Sequence, residues 1–214
     1  MGKKGPKGKG KKSTWVSQSK YMGGMIARPI RRTRALHITG THSFKRVLYV
    51  SASLAVTNVN QFGAMQFRLN ALPDYTEFTT LFDQYRIDKV KVQFMPRGNS
   101  SEVGTNNNNC KIFTVLDYDD DTAPASIDAV CEYDNLRTGT YDKDHTRSLV
   151  PKFSDAIYQS AVATAYGPKT GWLDCSYPAV PHYGLKYVLQ ATAAASNVII
   201  DIKYTYYVSF KAVR

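Results

Sequence analysis

The sequence predicts an all-β protein, an antiparallel β-sandwich carrying a basic N-terminal arm. Three observations carry that reading. Stretches of alternating apolar and polar residues recur from Phe44 to Phe210, which is the period-two mark of half-buried strands. Aromatic residues are 12% of the 214-residue chain and 15 of them are Tyr, a composition suited to strands and contact surfaces. Charge is segregated: no Asp or Glu occurs from Met1 to Pro73, and the cations cluster at the start.

Residues 1–34 form the arm. Lys3, Lys4, Lys7, Lys9, Lys11, Lys12, Lys20, Arg28, Arg31, Arg32 and Arg34 together equal the net charge of +11, so the remaining sequence is neutral. Gly and Lys dominate the first twelve positions, and such a segment has too little apolar surface to offset the entropy of ordering. It reads as a nucleic-acid-binding arm that also has the character of a nuclear-localisation signal; Trp15 and Tyr21 are candidates for stacking on bases. Gly5, Pro6, Gly8 and Gly10 oppose the amphipathic helix of a transit peptide. Pro6 stands where a myristoylation signal needs Ser or Thr.

Residues 35–214 are long enough for one domain with a real core. Its first strand, Phe44 to Val56, places Phe44, Leu48, Val50, Leu54 and Val56 on one face. The second, Ala64 to Leu72, opposes Met65, Phe67 and Leu69 to Gln66, Arg68 and Asn70. A short helix follows Pro73, with Asp74 and Glu77 spaced as a capping box and Phe78, Leu81 and Phe82 at helical intervals. The next strand carries Val90, Val92 and Phe94 inward against Lys89, Lys91 and Gln93. Its alternation slips between Ile87 and Lys89, which predicts a bulge. Ser100 to Asn109 is polar and reads as a loop. Cys110 to Tyr118 is apolar on both sides, as a central strand is. Ser126 to Tyr133 reads as a helical turn, His145 to Phe153 as a strand, and Ser154 to Gly171 as a long loop with one short strand. Trp172 begins a further short strand, and Tyr183 to Gln190 alternates again. The last strand is the cleanest, with Val198, Ile200, Ile202, Tyr204, Tyr206, Val208 and Phe210 sharing a face. About eight strands with one short helix make an eight-stranded antiparallel jelly roll. A seven-stranded immunoglobulin-like sandwich shares the periodicity, but the Cys-Trp-Cys core of antibody domains is missing.

No catalytic constellation is present. His37, His42, His145 and His182 are scattered, and neither HExxH, GxSxG nor a phosphate loop occurs. The expectation is therefore no enzyme and no cofactor. Asp144, His145 and Ser148 sit close in sequence, but three polar residues at a strand edge are ordinary. Asp117, Asp119 and Asp121, with Asp128, occupy positions 1, 3, 5 and 12 of a calcium loop, yet Thr122 replaces its glycine and a strand precedes it. The run reads as a solvated acidic turn, with Asp117, Asp119 and Asp121 as the metal candidates. Cys110, Cys131 and Cys175 are odd in number and lack CxxC spacing, which suits a reducing compartment.

The chain resembles the capsid proteins of circovirus-like single-stranded DNA viruses. The resemblance rests on Tyr85-Arg86-Ile87-Asp88-Lys89-Val90-Lys91-Val92-Gln93-Phe94-Met95-Pro96 and on the Leu72 to Phe78 segment leading into it. Trp172-Leu173, His182-Tyr183-Gly184-Leu185 and the Tyr-rich last strand extend it across roughly residues 42 to 214. Its arm departs from the circovirus pattern, being Lys/Gly-rich first and gaining Arg only from Arg28. The resemblance implies a jelly-roll subunit of an icosahedral homo-oligomer, usually of sixty copies, with the arm inside against a single-stranded DNA genome. It implies residence in the virion, assembly in the host nucleus through import factors, and a host surface receptor outside. Lys89 and Lys91 would add to an inner basic face, and subunit contacts would come from Tyr-rich loops and the helix near Phe78. Two other readings compete: the capsid of a small RNA virus, and a cellular nucleic-acid-binding β-sandwich.

Overall fold

Long alternating segments separated by polar turns fold here into two packed antiparallel sheets. The computed structural model describes residues 40–97, 110–160, 164–191 and 199–213. In chain order these contain β1 (His42–Ala55), β2 (Gln61–Phe67), α1 (Tyr75–Leu81), β3 (Phe82–Pro96), β4 (Lys111–Val115), α2 (Ile127–Cys131) and β5 (Arg137–Thr140). Then follow β6 (His145–Leu149), β7 (Phe153–Gln159), β8 (Thr164–Lys169), β9 (Leu173–Asp174), β10 (His182–Leu189) and β11 (Ile199–Val213).

The first sheet runs β1-β11-β3-β6, with the short β9 also on β3; the second runs β2-β10-β4-β5; β7 and β8 pair only with each other. Setting aside β7, β8 and β9, the principal strands wind in the order 1-8-3-6 and 2-7-4-5, which is the jelly roll. Between the sheets, Tyr85, Val90, Val92, Phe94, Ile202 and Tyr206 of the first meet Phe67, Ile112, Leu185 and Leu189 of the second, with Leu69 beside them. Several tyrosines belong to this core because their hydroxyls reach acceptors: Tyr85 donates to the Tyr177 carbonyl at 3.1 Å and Tyr141 to the Gln190 carbonyl at 2.8 Å.

The slip in the β3 pattern is a bulge. Lys89 stands opposite Tyr207 and Ile87 opposite Val208, so Asp88 is the extra residue. It keeps Ile87 and Val90 both inward. Asp88 accepts from Arg86 at 2.6 Å and from the Ser209 hydroxyl, which anchors the irregularity. α1 closes the adjoining end of the sandwich. Phe78 stacks on Phe210 with centroids 5.0 Å apart, and Phe44 meets Phe78 edge-on. Phe78 therefore packs inside the subunit, and Leu81 is the exposed apolar residue of this helix.

Three expectations are corrected. Asp74 does not cap α1 with its side chain; its backbone is left-handed (φ 61°) and its carbonyl accepts from Glu77 N–H at 3.2 Å. β2 ends at Phe67, because Leu69–Ala71 turns into a 3-10 helix. Ser154 to Gly171 is largely the β7–β8 hairpin, and Arg137–Thr140 forms an edge strand. Cys110, Cys131 and Cys175 carry free thiols.

Gly184 explains one of the sequence motifs. Its φ is +148°, and a Cβ there would lie 2.6 Å from Leu149 and 2.7 Å from Tyr118. Gly184→Ala should lower stability by about 1–3 kcal/mol through overpacking and strain, read as a shift in denaturant midpoint. An unchanged midpoint would show that β10 does not need this close approach.

Candidate nucleic-acid interface

The two sheets differ in what covers their outer faces. Phe113, Val115 and Val188 on the second sheet are buried with Val130 of α2, and Ile127, Tyr133 and Leu136 pack against them. Nothing comparable covers the first sheet among the described residues. Its outward positions are Lys45, Val47 and Tyr49 on β1, Lys203, Thr205 and Lys211 on β11, and Arg86, Lys89, Lys91 and Gln93 on β3. Cross-strand register sets Lys45, Tyr207 and Lys89 in one row and Val47, Thr205 and Lys91 in the next.

The acids on this face are already engaged. Asp88 pairs with Arg86 at 2.6 Å, and Asp201 with Arg97 at 2.7 Å and with the Tyr49 hydroxyl at 2.5 Å. Hydrogen bonds from Arg97 and Tyr49 hold the Asp201 carboxyl below its ordinary range. Lys45, Lys89, Lys91, Lys203 and Lys211 make no ion pair among the described residues. Aromatic rings are interleaved with this charge. Trp172 is flanked by Lys211 at 4.4 Å and Arg86 at 4.8 Å from its ring centroid, and Lys89 lies 5.9 Å from that of Tyr207. A cationic sheet with π surfaces is chemistry suited to single strands, whose phosphates and bases both find partners there.

Lys89 and Lys91 thus lie on one basic face with Lys45, Lys203 and Lys211. Sequence reading missed the last three and the two rings, because strand register alone brings them together. Lys3, Lys4, Lys7, Lys9, Lys11, Lys12, Trp15, Lys20, Tyr21, Arg28, Arg31, Arg32 and Arg34 lie outside the described residues.

The acidic run organises around an ammonium group. Lys186 of β10 is 8% exposed; its Nζ lies 2.9 Å from Asp117 and 2.8 Å from Asp120. Tyr133 donates to Asp117 at 2.7 Å, and Asp121 accepts from Gln66. Asp117, Asp119 and Asp121 do not converge, and no group of three ligating side chains suited to a metal occurs among the described residues. His145 is engaged with the Thr114 hydroxyl at 2.7 Å, and burial lowers its pKa. His182 opens β10 and meets the Val180 carbonyl at 3.1 Å; burial depresses it despite that bond.

A family model described as circovirus capsid protein matches residues 18–214. The chain is similar to the BFDV capsid protein crystallised as a 60-mer, at 17% identity and a TM-score of 0.64, over 81% of this chain and 95% of that one. The decameric BFDV capsid protein gives 17% identity and a TM-score of 0.57, over 80% and 99%. The mud crab tombus-like virus structure gives 12% identity and a TM-score of 0.51, over 86% and 94%. No curated protein matches the chain.

The Lys186 cluster sets a pH window. Burial raises the Asp117 carboxyl, but hydrogen bonds from Lys186, Tyr133 and the Asp119 N–H outweigh it, and the net direction is down from 3.8. Hydrogen bonds from Lys186 and Thr122 lower Asp120. Burial lowers Lys186, but Asp120 and Asp117 outweigh it and raise it above 10.5. The carboxylates therefore contribute stability above pH 3.8 that is lost as pH falls through their depressed values. The contribution of Lys186 is present below pH 10.5 and lost as pH rises through its raised value. Lys186→Met should cost about 1–3 kcal/mol at neutral pH, by leaving the half-buried Asp117 carboxylate without its counter-charge, and flatten both limbs of a stability–pH curve. Limbs as steep as in the parent chain would rule the cluster out as their source.

Proposed function

The chain belongs to the circovirus capsid protein family, and from that premise we propose that it builds an icosahedral shell of sixty copies around single-stranded DNA. Residues 1–34 are the packaging arm, and residues 35–214 the wall. The observation that carries this reading is the segregation of charge. The arm holds the chain's whole surplus of positive charge, and the first sheet bears lysines without carboxylate partners among the described residues. A shell must neutralise phosphates without reading sequence, and flexible cations do so by releasing counterions. The bare lysine face lines the particle's interior and adds to the arm. The same basic arm suits nuclear import factors before assembly, and the exterior loops meet a host receptor.

The wall needs contacts between copies. Ile157, Tyr158 and Tyr166, at 74, 61 and 66% exposed, sit on the β7–β8 hairpin. An isolated hairpin is marginal in water, so apolar residues left bare on one fit a surface completed by a neighbouring subunit.

Two experiments test these statements. Particles of the full chain should protect nucleic acid that DNase removes after disruption and RNase does not. Deleting residues 1–34 should leave shells that protect far less, and the salt dependence of binding by the full chain should be steep, about −0.7 per engaged phosphate. Equal protection by the deleted chain would refute the role of the arm, and RNase-sensitive cargo would make it an RNA capsid. Tyr166→Asp with Ile157→Asp should leave the thermal midpoint of the monomer near that of the parent chain while blocking particles in electron micrographs. Normal particles would exclude the hairpin from the interface.

A further inference from the structure

At the edge of the sandwich where β5 and β6 lie side by side, Arg147 is drawn between the sheets and is 3% exposed. Its Nη2 donates to the Asn135 carbonyl at 2.9 Å and lies 3.5 Å from Asn135 Oδ1; its Nε has no partner. No carboxylate among the described residues comes within ion-pair distance of it. Burial, and then the neighbouring cation of Arg137, push the Arg147 guanidinium down, with only Tyr118 opposing them. The other buried charges among the described residues, Lys186 and Asp201, have counter-charges in place. A buried cation facing a second cation is a costly arrangement, and one that an anion relieves.

A solvent-open cleft of about 270 Å³ adjoins it, lined by Arg137, Arg147, Asn135, Ser148 and Asp134 among others. We propose that this cleft is a binding site for one phosphate-type oxyanion, held between Arg137 and Arg147. Two guanidinium forks match the oxygens of a tetrahedral dianion, and the space exceeds several water volumes of about 30 Å³ each. Asn135 is fixed for the purpose of orienting Arg147: its amide donates to the Leu116 carbonyl at 2.9 Å and its oxygen accepts from Leu116 N–H at 2.5 Å. Asp134 is the opposing element, because this acidic residue lines the cleft and makes no ion pair with either arginine. Free phosphate and a phosphodiester offer the same chemistry. A second cleft, of about 410 Å³, shares Ser148 and carries Lys89 and Lys152, so a strand has somewhere to continue. The site stands whether or not the arm packages DNA.

The test is thermal denaturation of the full chain in inorganic phosphate against chloride at matched ionic strength. The midpoint should rise saturably with phosphate. Arg137→Ala, on an exposed strand, should weaken the apparent phosphate affinity at least tenfold, and Asp134→Asn should strengthen it. Arg147→Met should abolish the response while raising the midpoint in phosphate-free buffer, because it removes an uncompensated buried charge. If that variant does not fold, the other two decide. Short oligothymidylate and its uncharged methylphosphonate analogue separate the sources: a response to the first and not the second assigns the site to nucleic acid, and a response to inorganic phosphate alone assigns it to the free ion. No response beyond chloride, or one unchanged in Arg137→Ala and Asp134→Asn, overturns the proposal.

Discussion

The ladder between β3 and β11 is the constraint from which the rest of the subunit follows. Its register runs from Ile200 opposite Pro96 to Val213 opposite Phe82, with one interruption at Asp88. Because side chains alternate, one register decides both faces at once. It sends Val90, Val92, Phe94, Ile202 and Tyr206 into the core, and it sends Lys89, Lys91, Lys203 and Lys211 outward. The apolar wall and the basic surface are two sides of the same pairing. A one-residue slip beyond the bulge would bury lysines and expose the core, and the Asp88 anchor to Arg86 and Ser209 opposes it.

The difference between the two sheets has the same local cause. The second sheet has apolar residues on both faces, so Phe113, Val115 and Val188 must be covered, and the segment after β4 returns as α2 to cover them. The Ser126 hydroxyl caps that helix by accepting from Ala129 N–H at 3.0 Å. Lys186 lies on this covered face and is neutralised there by Asp117 and Asp120. The outward positions of the first sheet are mostly Lys, Arg, Gln, Ser and Thr, with Val47 and Tyr49 the exposed apolar groups of β1, so no helix is needed to cover it. A cationic surface is left uncovered among the described residues as a result.

Much of this was legible in the sequence wherever one local pattern decided the outcome. β11, β3, the bulge and α2 follow from periodicity and turn residues, whereas the jelly-roll winding rested on strand number and the family resemblance, because periodicity alone does not order strands in a sheet. The β7–β8 hairpin was not legible, since Phe153 is the one buried residue of β7 and no core-facing period exists to read. β5 is Arg-Thr-Gly-Thr, without an apolar residue to mark it. The capping-box spacing at Asp74 misled because local backbone geometry, not side-chain type, decides whether a cap forms. At the basic face, Lys89 and Lys91 were readable from alternation, whereas Trp172 between Arg86 and Lys211 depends on β9 docking on β3. Arg147 sits in a strand that alternates in the ordinary way, and only the approach of the two sheets reveals a charge turned inward.

The most direct measurement is a cryo-electron microscopy reconstruction of the assembled shell, read for the orientation of the first sheet. The lysine face of β1, β11 and β3 should point into the particle, with strand-like density against Trp172 and Tyr207. A shell in which that face looks outward to solvent, with the cargo lying against the α2 side, would contradict the division of labour between wall and charge.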